Sequence, residues 1–161
     1  MDIDNQHIKH MQAAIDLALE AESKGEVPVG AVVVCNDEII GRGHNQPISR
    51  VDCSAHAEII ALRDACESQN NYRLSDCDIY VTLEPCAMCA GAIVHARIRK
   101  LYFAASDHKT GACGSVIDLV SNNPTGHRVD VSGGLLADQS KSLIQSFFKR
   151  RRADKKNQAE D

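Results

Sequence analysis

The sequence predicts an α/β domain built on a mixed β-sheet, and three observations carry that prediction. Hydrophobic residues make up 43% of the 161 residues but aromatics only 4%, with no Trp. The core must therefore be aliphatic, as in sheets covered by helices. A hairpin pattern near the start gives way, from Asp78 onward, to alternating strand and helix patterns, which imply a parallel crossover joined to an antiparallel pair. No repeat, low-complexity tract or linker divides the chain. Residues 1–152 read as one domain and 153–161 as a short polar tail, expected to fray.

Each element has its own signal. From His7 to Lys24 the positions Ile8, Met11, Ile15, Ala18 and Leu19 fall on one helical face, and Gly25 supplies a stop. Ala31 to Cys35 is a β-branched run, Asn36 and Asp37 are turn residues, and Glu38 to Ile40 resumes as a second strand, which predicts a hairpin followed by a loop over 41–49. Ser54 offers an N-cap for a helix whose face carries Ala55, Ile59, Leu62 and Cys66. Asp78 to Leu83 predicts a buried strand, Pro85 a first helical position, and Cys86 to Ala96 a helix behind it. Lys100 to Ala104 predicts a further strand. Gly111, Gly114, Asn122, Asn123, Pro124 and Gly126 mark a long loop with room for one helical turn at Val116 to Val120. His127 to Val131 reads as a last strand, and Leu135 to Arg152 as a final helix carrying Leu136, Leu143, Ile144, Phe147 and Phe148.

Composition excludes several classes of function. No apolar run approaches the roughly 18 to 20 residues of a membrane span, and the opening MDIDNQHIKH is acidic where a signal peptide would be basic. The chain is expected in the cytoplasm, away from membranes. Seven cysteines form an odd set, so thiolate chemistry or simple burial is expected rather than a disulfide framework; Cys35, Cys66 and Cys77 read as small buried hydrophobes. A formal charge of −4 argues against bulk electrostatic binding of nucleic acid. One local basic cluster stands out: Lys149, Arg150, Arg151, Arg152, Lys155 and Lys156.

Two short segments carry chemistry: Cys53-Ser54-Ala55-His56-Ala57-Glu58 and Pro85-Cys86-Ala87-Met88-Cys89. Alone, a Cys-x-x-Cys is equally a redox pair or an accident of composition, and a lone His is commonly structural. Together they hold three metal donors. Cys86 and Cys89, three apart, project from one side of a helix start, where the dipole and free N–H groups favour thiolates. His56 supplies a third ligand, and three protein ligands leave a fourth position for water, as in a catalytic zinc site. Cys53 is the competing fourth ligand of a closed, structural site. Glu58 argues against closure: it sits about 200° around a helix from His56, so both serve one site only if the helix points at it end-on. A structural zinc has no use for such a carboxylate, whereas a metal-bound water needs a proton acceptor.

His-x-Glu followed by Pro-Cys-x-x-Cys resembles the signature of the zinc deaminases of nucleobases. The resemblance extends along nearly the whole chain to the bacterial tRNA adenosine deaminase family, in EVPVGAVVV (26–34), GRGHNQPI (41–48), AHAEIIALR (55–63), NYRL (71–74), YVTLEPCAMCAGAIVHARI (80–98), DHKTGA (107–112) and the ending FFKRRR (147–152). It implies a three-layer α/β/α fold with a five-stranded mixed sheet, cytidine deaminase-like, in a homodimer with one Zn2+ per subunit. The implied reaction is hydrolytic deamination of adenosine to inosine at the wobble position of a tRNA anticodon stem-loop, by zinc-activated water with Glu58 as proton shuttle.

It further implies that Asn45 reads the base edge, that Val29 and Ala57 line the pocket, and that Asp107 and Asn122 contact flanking nucleotides. Phe147, Arg151 and the basic cluster would face the tRNA. The residues by themselves allow simpler roles: Asn45 as a turn residue before Pro47, Asp107 as a loop cap, and the cluster as cations at a helix end. Two other functions share the metal residues: deamination of a free base or nucleoside, and a zinc-stapled RNA-binding module without turnover.

Overall fold

The computed structural model describes residues 3–160 and bears out the mixed sheet. Its elements in chain order are α1 (Ile3–Ser23), β1 (Gly30–Cys35), β2 (Glu38–His44), α2 (Pro47–Arg50), α3 (Ala57–Gln69), β3 (Cys77–Leu83), α4 (Ala87–His95), β4 (Lys100–Ala105), β5 (Asp130–Gly133) and α5 (Ala137–Glu160). The strands lie in the order β2-β1-β3-β4-β5. β1 pairs antiparallel with β2 and β3, while β3-β4 and β4-β5 are parallel. The β3-α4-β4 unit is the crossover that the alternation after Asp78 predicts.

The pleat sorts side chains into two layers, since successive residues of a strand face opposite ways. Ala31, Val33, Ile79 and Val81 pack with Ala57, Ala61, Ala65, Ala90 and Ile93 of α3 and α4. Val32, Val34, Tyr80 and Tyr102 pack with Met11, Ala14 and Ile15 of α1 on the other face. The Ser140 hydroxyl donates to the Thr82 carbonyl, which ties α5 to the same face as α1. Helices thus cover both sides of the sheet, and burial on both sides explains strands that read as continuous apolar runs.

Several boundaries differ from the sequence reading, each for a local reason. β2 runs on to His44 instead of opening into a loop, because Gly41 and Gly43 lie against the α3 backbone. A Cβ at Gly41 would overlap Ala61 and Ala65, and one at Gly43 would overlap Ala57 and Ala61. On α1, Ile8 and Leu19 are exposed, and the buried stripe runs through Met11, Ala14, Ile15, Ala18 and Ala21; Leu19 stands about 100° beyond Ala18. His56, not Ser54, caps α3, whose buried residues are Ala57, Glu58, Ala61, Leu62 and Ala65 rather than the face drawn through Ile59 and Cys66.

The helical turn expected at Val116 to Val120 is absent; a single Cys113-Asp118 bridge closes that loop instead. The last strand starts at Asp130, later than expected, and the short α2 has no counterpart in the sequence reading. The tail expected to fray after Arg152 continues α5 to Glu160, consistent with helix formers and no Gly or Pro over that stretch. No helix among the described residues is long and apolar enough to cross a membrane.

Candidate active site

The N-termini of α3 and α4 meet at one point, and their caps carry the chemistry. His56 caps α3 and Cys86 caps α4, both with extended backbone. Neither side chain closes its own helix end, so both are free to turn toward each other across the gap between two helix starts. His56 Nδ1 lies 3.7 Å from Cys86 Sγ and 3.5 Å from Cys89 Sγ. The packing of α3 and α4 against one face of the sheet holds the three together.

These three residues form the one His/Cys/Asp/Glu cluster of metal-binding geometry among the described residues. Bonds of about 2.0–2.3 Å at tetrahedral angles put neighbouring N and S donors roughly 3.5–3.8 Å apart. The observed separations fall in that range, so the residues present fit a tetrahedral Zn2+ with one position left over. One of the two thiols, Cys86, is poised to ionise. Hydrogen bonds from the Cys89 thiol and the His56 ring, joined by the Cys89 amide, overcome desolvation and bring Cys86 down to about 4. The same contact with Cys86, reinforced by burial, pushes Cys89 far up. Two adjacent sulfurs thus hold one negative charge between them, and a dication shared with His56 would let both ionise.

Glu58, the second residue of α3, is 4% exposed. Burial pushes its carboxyl up to about 7, despite relief from its own amide, the Cys89 thiol and the His56 charge. It therefore lies against the donor cluster without belonging to it, the end-on arrangement that the His-x-Glu spacing requires. Cys53 is exposed and outside the cluster, so it is not the fourth ligand of a closed site. Cys53→Ser is accordingly expected to keep both its zinc and its turnover, checked by metal analysis and a deamination assay.

The remaining sequence candidates fall into two groups. Asn45 Oδ1 accepts the Ala57 N–H at 2.8 Å and so fixes the first turn of α3, one residue from His56. Val29 and Ala57 are buried in the α3/α4 layer, at 4% and 0% exposure. Asn45 links the other two, its N–H donating to the Val29 carbonyl at 3.1 Å while its Oδ1 accepts from Ala57. Asp107 is held in a loop turn by the Lys109 and Thr110 amides at 3.0 Å and the Thr110 hydroxyl at 2.9 Å, so the loop-cap role is present whatever else it does. It also lines a groove of about 740 Å³ between the 105–110 loop and α5.

Asn122 is exposed in the loop before β5 and outside that groove. Phe147 is buried beneath the Arg151 guanidinium, 5.3 Å from its ring, and it is Phe148 that lines the groove. Adjacent helical residues differ by about 100°, so Phe147 turns inward while Phe148 faces the groove. Two buried carboxylates were missed: Glu26, which accepts the Ile48 and Ser49 amides, and Glu84, immediately after β3. Their one sequence signal was an acid embedded in an apolar segment.

A fold of this topology, carrying a His/Cys/Cys donor set beside a buried carboxylate, defines the class of metal-dependent hydrolases that activate water. The family model for the cytidine and deoxycytidylate deaminase zinc-binding region matches residues 4–105. A tRNA-specific adenosine deaminase of Haemophilus influenzae is 49% identical over 149 residues, covering 92% of this chain and 86% of that protein. Among solved structures, a tRNA:A34 deaminase that edits A to I at the wobble position superposes with a TM-score of 0.80 at 44% identity, covering 84% of this chain and 98% of that one. A guanine deaminase of Bacillus subtilis follows at a TM-score of 0.60 and 38% identity, with 66% of each chain covered. The chain belongs to the zinc-binding deaminase family and, within it, to the tRNA-specific adenosine deaminases.

Proposed function

We propose that this protein converts adenosine to inosine at the wobble position of a tRNA anticodon, in the cytoplasm, as a homodimer with one zinc per subunit. The observation that carries the reading is Glu58, buried beside three donors that leave one position open for water. Zinc held by His56, Cys86 and Cys89 supplies the Lewis acidity that lowers the pKa of water. Glu58 takes the water proton as the oxygen adds to the amine-bearing carbon of adenine, and delivers it to the nitrogen, so that the C–N bond breaks and ammonia leaves. With Asn45 Oδ1 committed to Ala57 N–H, its amide nitrogen remains as a donor for the base edge.

Base contacts by themselves do not distinguish one adenosine from another, so loop shape and phosphates must supply orientation. α5 offers cations for this. Lys149, Arg152, Lys155 and Lys156 are exposed, whereas Arg150 is engaged with Glu22 at 3.0 Å and Arg151 lies over Phe147. Exposed Ile48, Val51 and Met88 provide apolar surface for a second copy of the chain, a state read directly by sedimentation.

The test compares an anticodon stem-loop, free adenosine, cytidine and guanine at equal concentration, measuring ammonia and inosine. The stem-loop is expected to be deaminated far faster than the others, with activity falling as salt rises because phosphate contacts release counterions. A faster free base would replace this reading by that of a base deaminase, the activity of the Bacillus subtilis neighbour. Zinc and RNA bound without ammonia release would leave a binding module.

A further inference from the structure

Glu84 ends the sheet at the point where the metal-bearing segment begins, and it is 2% exposed. Both of its oxygens are committed to one loop. Oε1 accepts the Asp107 amide at 3.1 Å and the Ser115 hydroxyl. Oε2 accepts the Cys113 amide at 3.0 Å and the Ser115 amide at 3.1 Å. No ion pair among the described residues gives this carboxylate a cation, so loop dipoles alone balance its charge. Gly111 lies so close that a Cβ there would overlap the carboxylate. Backbone bonds bracket the same junction: Glu84 N–H donates to Ala105 at 2.8 Å and Ala112 N–H to Pro85 at 2.9 Å.

The loop held in this way is the wall of the groove. His108, Lys109 and Thr110 are exposed along it, facing Lys141 and Phe148 of α5. Glu84 stands two residues before Cys86, so the carboxylate that fixes the wall also belongs to the segment that presents a metal ligand. We propose that Glu84 is a positioning residue for the substrate: it locks the 107–115 loop to the start of α4, setting the groove wall at a fixed distance from Glu58. The inference rests on the tRNA reading above, because a small free base would not need that wall. Charge-assisted hydrogen bonds are the strong ones, and a carboxylate shared by several loop donors orders them together.

The prediction concerns KM rather than kcat. Glu84→Gln replaces one acceptor oxygen by an NH2 group, which sets a donor against loop N–H donors. With zinc-loaded enzyme and an anticodon stem-loop, KM is expected to rise roughly ten- to a hundredfold, the size of one or two hydrogen bonds to a charged group. kcat should change by no more than about threefold and zinc content should not change. Ser115→Ala, at an exposed position, removes one hydroxyl from the same carboxylate and should raise KM less. The two changes together should cost less than the product of their separate effects.

Hydrogen exchange at the Asp107, Cys113 and Ser115 amides should speed up in Glu84→Gln. The inference is overturned by an unchanged KM in both variants, by a loss confined to kcat or to zinc, or by multiplicative effects. If the wild-type chain leaves the stem-loop untouched, it is the tRNA reading that falls. The exchange rates then decide whether Glu84 holds the loop at all, and unaltered rates overturn that too.

Discussion

Glu58→Gln is expected to keep its zinc and lose roughly a hundred- to ten-thousandfold in turnover, the usual worth of a general acid–base group. The amide matches the carboxylate in shape and does not alter the three donor atoms, so metal content should stay at the wild-type level. What it cannot do is accept a proton from water and return it to the departing amine. Near wild-type turnover, or loss of zinc, would remove the role assigned to Glu58.

Two pH effects follow from the same burial. Glu58 must be ionised to accept a proton, and a bound dication favours the ionised form, so the acid limb of kcat/KM should lie at or below about pH 7. In stability the sign reverses. The folded pKa, about 7, lies above the ordinary 4.5, so folding is penalised once the pH exceeds the unfolded value, and increasingly so up to the folded one. In zinc-free protein, Glu58→Gln should therefore melt above wild type at about pH 8 and level with it at about pH 4. Thermal melts at the two pH values check this.

Loss of a donor should be as severe. In Cys86→Ala, zinc affinity is expected to fall by more than roughly a hundredfold, since residues that merely support a metal ligand already account for ten- to a hundredfold, and deamination should disappear with the metal. Cys86 is also the cap of α4, and a dication binds best where a low-pKa thiolate is already available. Restored zinc should not rescue turnover in that variant, whereas wild type stripped by a chelator should regain it. A zinc-replete, active Cys86→Ala would show that the metal sits elsewhere.

Much of this site was legible in the sequence because its parts are short-range. Cys86 and Cys89 are linked by helical spacing, Pro85 marks the helix start, and His56 and Glu58 fit one target only at a helix end. Those constraints come from backbone periods of 3.6 and 2.0 residues, which hold in any fold. The layered sheet was legible for the same reason, from β-branched runs alternating with helical stripes. The deaminase class came from the resemblance of the two segments, taken together, to the zinc deaminase signature.

Only the tertiary structure decided what depends on which surfaces meet. Gly41 and Gly43 look like loop residues until α3 is seen against β2, where no Cβ fits. Asn45 looks like a turn residue until its oxygen is found on the Ala57 amide. Phe147 and Phe148 read alike until one is found buried and the other along the groove, one residue of helical phase apart, and Glu84 is one acid among many until three loop amides converge on it. A carboxylate's partners lie tens of residues away in sequence, and no local period records them; they exist only where packing has excluded water and left the N–H groups no other acceptor.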